Sequence, residues 1–140
     1  MFLLDTNVVS ALRKPSEADK NLVAWASSQQ VFNLYVSSIS IMELKFAILE
    51  KRKTDPKAGE LLNEWLQTRV LEGFKGRVVA FDAEMAEYCA ALHVPNPKSE
   101  RDAMIAATCL VNNMTLVTKT PADFKHIKIP TINPWEAISN

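Results

Sequence analysis

Glycine is nearly missing from this sequence, with 3 residues in 140. A glycine-rich phosphate loop, or an all-β fold full of tight turns, would need more of it. Cysteine is scarcer still. Cys89 and Cys109 stand in the apolar helical patterns AEYCAALH and AATCLVNN. They read as small core hydrophobes in a reducing compartment, not as a disulfide or a reactive thiol pair. The two histidines, His93 and His126, have no metal-ligand spacing and read as surface or loop residues. Charge of one sign is absent too: 16 basic residues balance 16 acidic ones, so any attraction for nucleic acid has to come from a local patch. No apolar run is long enough to cross a membrane. The N-terminal run is a few residues long and carries Asp5, which fits neither a span nor a signal peptide. A cytoplasmic protein is expected.

The rest of the composition is that of a soluble globular chain, 48% apolar and 23% charged. The length suits one domain over residues 1–140 with room for a core. Strands are predicted at Phe2–Asp5, Asn33–Ser37, Arg77–Phe81 and Thr115–Thr118, with a short last one within Ile127–Ile132. Helices are predicted at Asn7–Leu12, Ala18–Ser28, Ile41–Lys53, Asp55–Arg69, Ala83–Leu92 and Ala103–Val111, the last so apolar that it should be buried. Strands separated by helices imply an α/β fold, with a central, mostly parallel sheet flanked by helices and right-handed crossovers.

The first ten residues, MFLLDTNVVS, pose the chemical question. A buried strand would draw Asp5 inward, and a buried carboxylate is costly unless something pairs with it. Either Asp5 caps the following helix or it meets a cation. Three more acids stand at helix starts, in Ser40-Ile41-Met42-Glu43, Ser99-Glu100-Arg101-Asp102 and Thr120-Pro121-Ala122-Asp123. Each fits the S/T-x-x-[D/E] capping box, so capping alone accounts for each one singly. Together they differ. In a parallel sheet the strand C-termini and the following helix starts gather along one edge, where ligands bind. Asp5, Glu43, Asp102 and Asp123 could meet there, and such a group of like charges wants a cation. Oxygen-only ligands suit Mg²⁺ or Mn²⁺, and a carboxylate-held divalent metal is a site for phosphoryl chemistry.

The ordered set FLLDTN, SSISIMEL, RDAMIAAT and TLVTKTPADF resembles the PIN-domain ribonucleases, most of all the VapC-type toxins of bacterial type II toxin–antitoxin pairs. The terminal INPWE is similar to their FitB-like branch. The resemblance covers essentially the whole chain. It implies a PIN-like fold and Asp5, Glu43 and Asp102 as the carboxylates around Mg²⁺ or Mn²⁺. It also implies cleavage of RNA, transfer RNA among its targets, by a homodimer that a cognate antitoxin inhibits. Thr6 and Asn7 are the usual neighbours of the first Asp, Thr6 placing water or a carboxylate by its hydroxyl. One departure concerns the end of the last motif: where many relatives carry Asp or Asn two residues after Thr118, this chain has Thr120. Asp123 is the nearest acid to replace it, and Lys119 between the two threonines is a candidate for contact with phosphate.

Two other readings stay open. A haloacid-dehalogenase-like phosphatase also begins with a strand ending in Asp, but wants a second Asp where Asn7 stands. A degenerate PIN module could bind RNA or a partner without cutting, and Thr120 keeps that reading alive. The cations Lys51, Arg52 and Lys53 fit a solvated helix end, and Trp25, Trp65 and Trp135 fit packing. Phe46, Leu49, Trp65 and Leu66 form more apolar surface than a small sheet uses, so an antitoxin segment is expected there, with the homodimer forming through another helical face.

Overall fold

A computed structural model describes residues 1–136. Five parallel strands form one sheet: β1 (Phe2–Leu4), β2 (Leu34–Ser37), β3 (Val78–Val79), β4 (Thr115–Val117) and β5 (Thr131–Ile132), in the order β3-β2-β1-β4-β5. Phe2 pairs with Leu34 on one side and Thr115 on the other, so β1 is the central strand. Neighbouring residues of a strand point to opposite faces. Leu4 therefore joins Val8, Leu22, Val36 and Ile48 in the core on one side, while Leu3 joins Ile105, Leu116 and Phe124 on the other. Both faces are covered, which is why FLL is apolar without alternation.

Helices α1 (Thr6–Ala11), α2 (Lys20–Ser28), α3 (Ser38–Thr54), α4 (Pro56–Trp65), α5 (Ala83–Leu92) and α6 (Glu100–Asn112) fill the crossovers. The predicted architecture is the observed one, but several ends move. The helix predicted from Ile41 begins at Ser38, because the Ser37 hydroxyl accepts from the Ile39 N–H at 3.0 Å and caps α3 three residues early. The helix predicted to run unbroken from Asp55 to Arg69 stops being α-helical at Trp65 and continues as a π-helical segment, Leu66–Leu71. That segment buries Leu66 and Val70 in the core, so Leu66 forms no part of an exposed apolar face. Cys89 and Cys109 are both buried and unpaired, and burial pushes the Cys109 thiol up to about 12. Among the described residues, no helix is long and apolar enough to cross a membrane.

Parallel strands bring all their carboxyl ends to one edge. The chain leaves β1 toward β2 and later returns to β1's other side as β4, so the crossovers diverge at β1. A crevice forms at such a switch point.

Candidate active site

Asp5 follows β1 immediately and stands at this switch point. Its own N–H donates to the Val117 carbonyl at 2.9 Å, tying it to β4. Its Oδ1 accepts from the Thr6 N–H at 2.8 Å and its Oδ2 from the Thr118 hydroxyl at 2.8 Å. The capping bond exists, but it reaches only the first N–H of α1. The second bond comes from a fully buried residue at the end of β4, 113 positions away. Burial raises the Asp5 carboxyl above the usual range. The bonds from Thr118 and Thr6 oppose this, and the charges of Glu43 and Asp123 push it further up.

Glu43 belongs to the second turn of α3 and not to a capping box with Ser40, since the cap is Ser37. Ser40 is instead buried inside the helix and faces Thr6. The Thr6 hydroxyl is shared between Ser40 Oγ at 2.8 Å and Glu43 Oε1 at 3.0 Å. The other oxygen, Glu43 Oε2, lies 3.6 Å from the Arg101 guanidinium, which also sits over the Phe46 ring. The spacing S-x-x-E fits a local capping box, but the carboxylate goes to tertiary partners.

Asp102 is the third residue of α6. Ser99 stands at the cap position without a side-chain capping bond, so this capping box does not close either. Burial first, then the charges of Asp5 and Asp123, raise the Asp102 carboxyl, with Ser99 opposing. Asp123 is exposed, on a single 3₁₀ turn, Pro121–Phe124, rather than a helix. The predicted Thr120–Asp123 capping pair is also absent: the Thr120 side chain caps nothing, and its hydroxyl lies 3.4 Å from that of Thr118. Asn7 Oδ1 accepts from the Lys119 N–H at 3.3 Å.

The four acids from four segments thus share one electrostatic neighbourhood. Asp5 feels Glu43 and Asp123, and Asp102 feels Asp5 and Asp123. Among the described residues, no three His, Cys, Asp or Glu side chains stand close enough together to grip one ion as they are, and the Glu43 carboxylate is turned to Thr6 and Arg101. His93 ends α5 and accepts from the Lys98 N–H, and His126 is exposed. Ser40 and Arg101 are the participants that sequence reasoning missed. Ser40 lies three residues before Glu43 and Arg101 directly before Asp102, so position alone pointed at both.

The architecture has close counterparts among known proteins. The PIN domain model matches residues 2–130. The VapC ribonuclease Y4jK of Sinorhizobium fredii is 32% identical, over 97% of this chain and 99% of its own. The toxin FitB of Neisseria gonorrhoeae is 29% identical, over 96% and 99%. The crystal structure of FitAcB from Neisseria gonorrhoeae superposes with a TM-score of 0.86 at 30% identity, covering 97% of this chain and 99% of that one. A three-layer parallel sheet with Asp5, Glu43, Asp102 and Asp123 along one edge, matched from end to end by such relatives, leaves one assignment: the chain belongs to the PIN-domain family, alongside its VapC and FitB toxins.

Proposed function

We infer that the chain is a single PIN domain over residues 1–140 that acts as a divalent-metal-dependent endoribonuclease, the toxin of a pair held in check by an antitoxin protein. The observation that carries this reading is the half-buried Asp5 carboxylate, raised by burial and by neighbouring acids yet bonded at both oxygens. A group of acids that oppose one another's ionisation fits a cation, and an all-oxygen donor set fits Mg²⁺ or Mn²⁺. Asp5, Asp102 and Glu43 would hold it, with Asp123 at the outer side. Bound there, the ion would supply charge stabilisation for the phosphoryl group and make a nearby water easier to deprotonate.

The chain's own residues set the geometry. Thr118 and the Thr6 N–H fix the Asp5 carboxylate in one orientation and leave each oxygen a spare lone pair. Thr6 and Arg101 hold the two oxygens of Glu43 from opposite sides. The names of the relatives supply the substrate class and the toxin role, and one matching solved structure is a toxin–antitoxin complex from Klebsiella pneumoniae. Transfer RNA is the substrate to try first. A homodimer is the expected assembly.

The test is RNA cleavage with Mg²⁺, Mn²⁺ or EDTA, beside a phosphomonoesterase assay. Cleavage that needs the metal is the expected result. Phosphatase activity would favour the dehalogenase-like reading, against which Asn7 stands committed to the Lys119 backbone. RNA binding with no cutting would mean a degenerate module, the reading that Thr120 in place of an acid supports.

A further inference from the structure

The lip of the carboxylate crevice at the end of β4 is built around one lysine. Lys119 follows Thr118, the residue bonded to Asp5. Its N–H donates to Asn7 Oδ1 at 3.3 Å, and its carbonyl accepts from Asn133 Nδ2 at 3.4 Å. Its ammonium lies 5.3 Å from the centre of the Trp135 ring. That ring is itself fixed: Trp135 N–H donates to Asn133 Oδ1 at 3.0 Å, and the Trp135 carbonyl accepts from Asn21 Nδ2 at 2.9 Å. Four segments, the starts of α1 and α2 and the ends of β4 and β5, therefore hold a single cation at the carboxyl edge. The INPWE segment, whose Trp135 the sequence assigns to packing, supplies two of the contacts.

Holding a lysine on an aromatic face is a particular choice. Acids abound nearby, yet none of the ion pairs among the described residues includes Lys119. Arg101, the cation on the other wall, is already paired with Glu43. An indole face attracts an ammonium without neutralising it, and the exposed Lys119 keeps N–H donors for something else. A polyanion entering a crevice with four carboxylates meets repulsion, and the chain as a whole has net charge zero and offers no compensating field. A fixed, unneutralised cation at the lip answers that repulsion.

We propose that Lys119 is a substrate-binding residue that takes one backbone phosphate of single-stranded RNA, preset by the Trp135 ring and the Asn7 and Asn133 side chains. This rests on the ribonuclease reading. Lys119 adds affinity and register, while the acids carry the chemistry.

The test compares wild type with Lys119→Met, which keeps the apolar stem and removes the charge. Lys119→Arg restores charge, and Lys75→Met removes one at the opposite edge of the sheet. Binding of a fluorescein-labelled single-stranded RNA is followed by anisotropy in EDTA over a range of KCl concentrations, and cleavage in Mn²⁺ gives kcat and KM. One lost phosphate contact on a single strand reduces the slope of log affinity against log salt by about 0.7, which is about fivefold in affinity at 0.1 M salt. Lys119→Met should show both changes, with KM raised by a similar factor, kcat within about twofold and melting temperature unchanged. Lys119→Arg and Lys75→Met should keep the wild-type slope. A Lys119→Met slope equal to that of the wild type overturns the proposal, as does a loss confined to kcat or to stability. If wild type cleaves RNA and Lys119→Met matches it, only this proposal fails. If wild type neither binds nor cleaves RNA, the ribonuclease reading fails and takes the proposal with it.

Discussion

Asp5 is kept at a cost. Its carboxyl titrates higher in the folded chain than in the unfolded one, because burial and the nearby acids outweigh the two hydrogen bonds. The sign follows from linkage: the ionised group destabilises the fold above its folded-state value, and the penalty vanishes below its ordinary value near 3.8. Asp5→Asn should therefore melt higher than wild type at pH 7, with the difference closing as the pH approaches 3, read by thermal melts across that range. The same variant should lose metal-dependent cleavage altogether. A stable variant cutting at the wild-type rate would remove Asp5 from the reaction. Asp123 makes a different case. It is exposed, on a 3₁₀ turn, and reaches the other acids by its charge alone. Asp123→Asn should then reduce cleavage by about ten- to a hundredfold without abolishing it, as outer-sphere changes do. If it is as inactive as Asp5→Asn and binds no Mn²⁺ in a calorimetric titration, Asp123 is a direct ligand.

At the scale of elements, the α3–α4 hairpin shows where local and tertiary rules part. Gly59 lies inside α4, where Ala is favoured over Gly by about 1 kcal/mol. A Cβ at that position would lie 2.8 Å from the Arg52 Cα of α3, a backbone atom that cannot swing aside. Overpacking of this kind costs about 1–3 kcal/mol, so Gly59→Ala should destabilise despite its better propensity, as denaturant melts will read. The same divide separates what was legible in the sequence from what was not. β1, β2, β4, α5 and α6 were readable because period and composition agree there, and Asp5 because FLL ends in a charge. The start of α3 was not, nor was the shortness of the 3₁₀ turn that begins at Pro121. Ser37, Ser38 and Ser40 offer rival caps, and S/T-x-x-[D/E] describes a spacing without saying whether the acid has a better partner. Glu43 has one in Thr6 and Arg101, 37 and 58 positions away. No rule of spacing contains such a pairing; only the parallel sheet, which collects strand ends, creates it.

For the whole molecule, the question is what its outward apolar groups are for. Met42, Phe46 and Leu49 recur at helical spacing along α3, and Phe46 remains 54% exposed although Arg101 lies over its ring. The opposite face of the same helix is spent on the core through Leu44 and Ile48. A helix apolar on both sides is built for two contacts, and the second lies outside this chain. Leu66, expected on that face, is buried, and Trp65 packs against the core with Leu4 and Val9, so both drop out and leave Phe46 and Leu49 as the anchors. Expression of this chain alone should arrest bacterial growth, and co-expression with the small protein encoded beside it should relieve the arrest. Leu49→Asp, made in the inactive Asp5→Asn background so that cells survive, should abolish co-purification with that protein. Because Leu49 is 44% exposed and outside the core, melting should stay within about 0.5 kcal/mol of the parent. Light scattering should still show the proposed homodimer, whose interface is expected on another helical face. A partner that stays bound to the variant would place the docking surface elsewhere. Loss of the dimer together with the partner would mean that one face serves both.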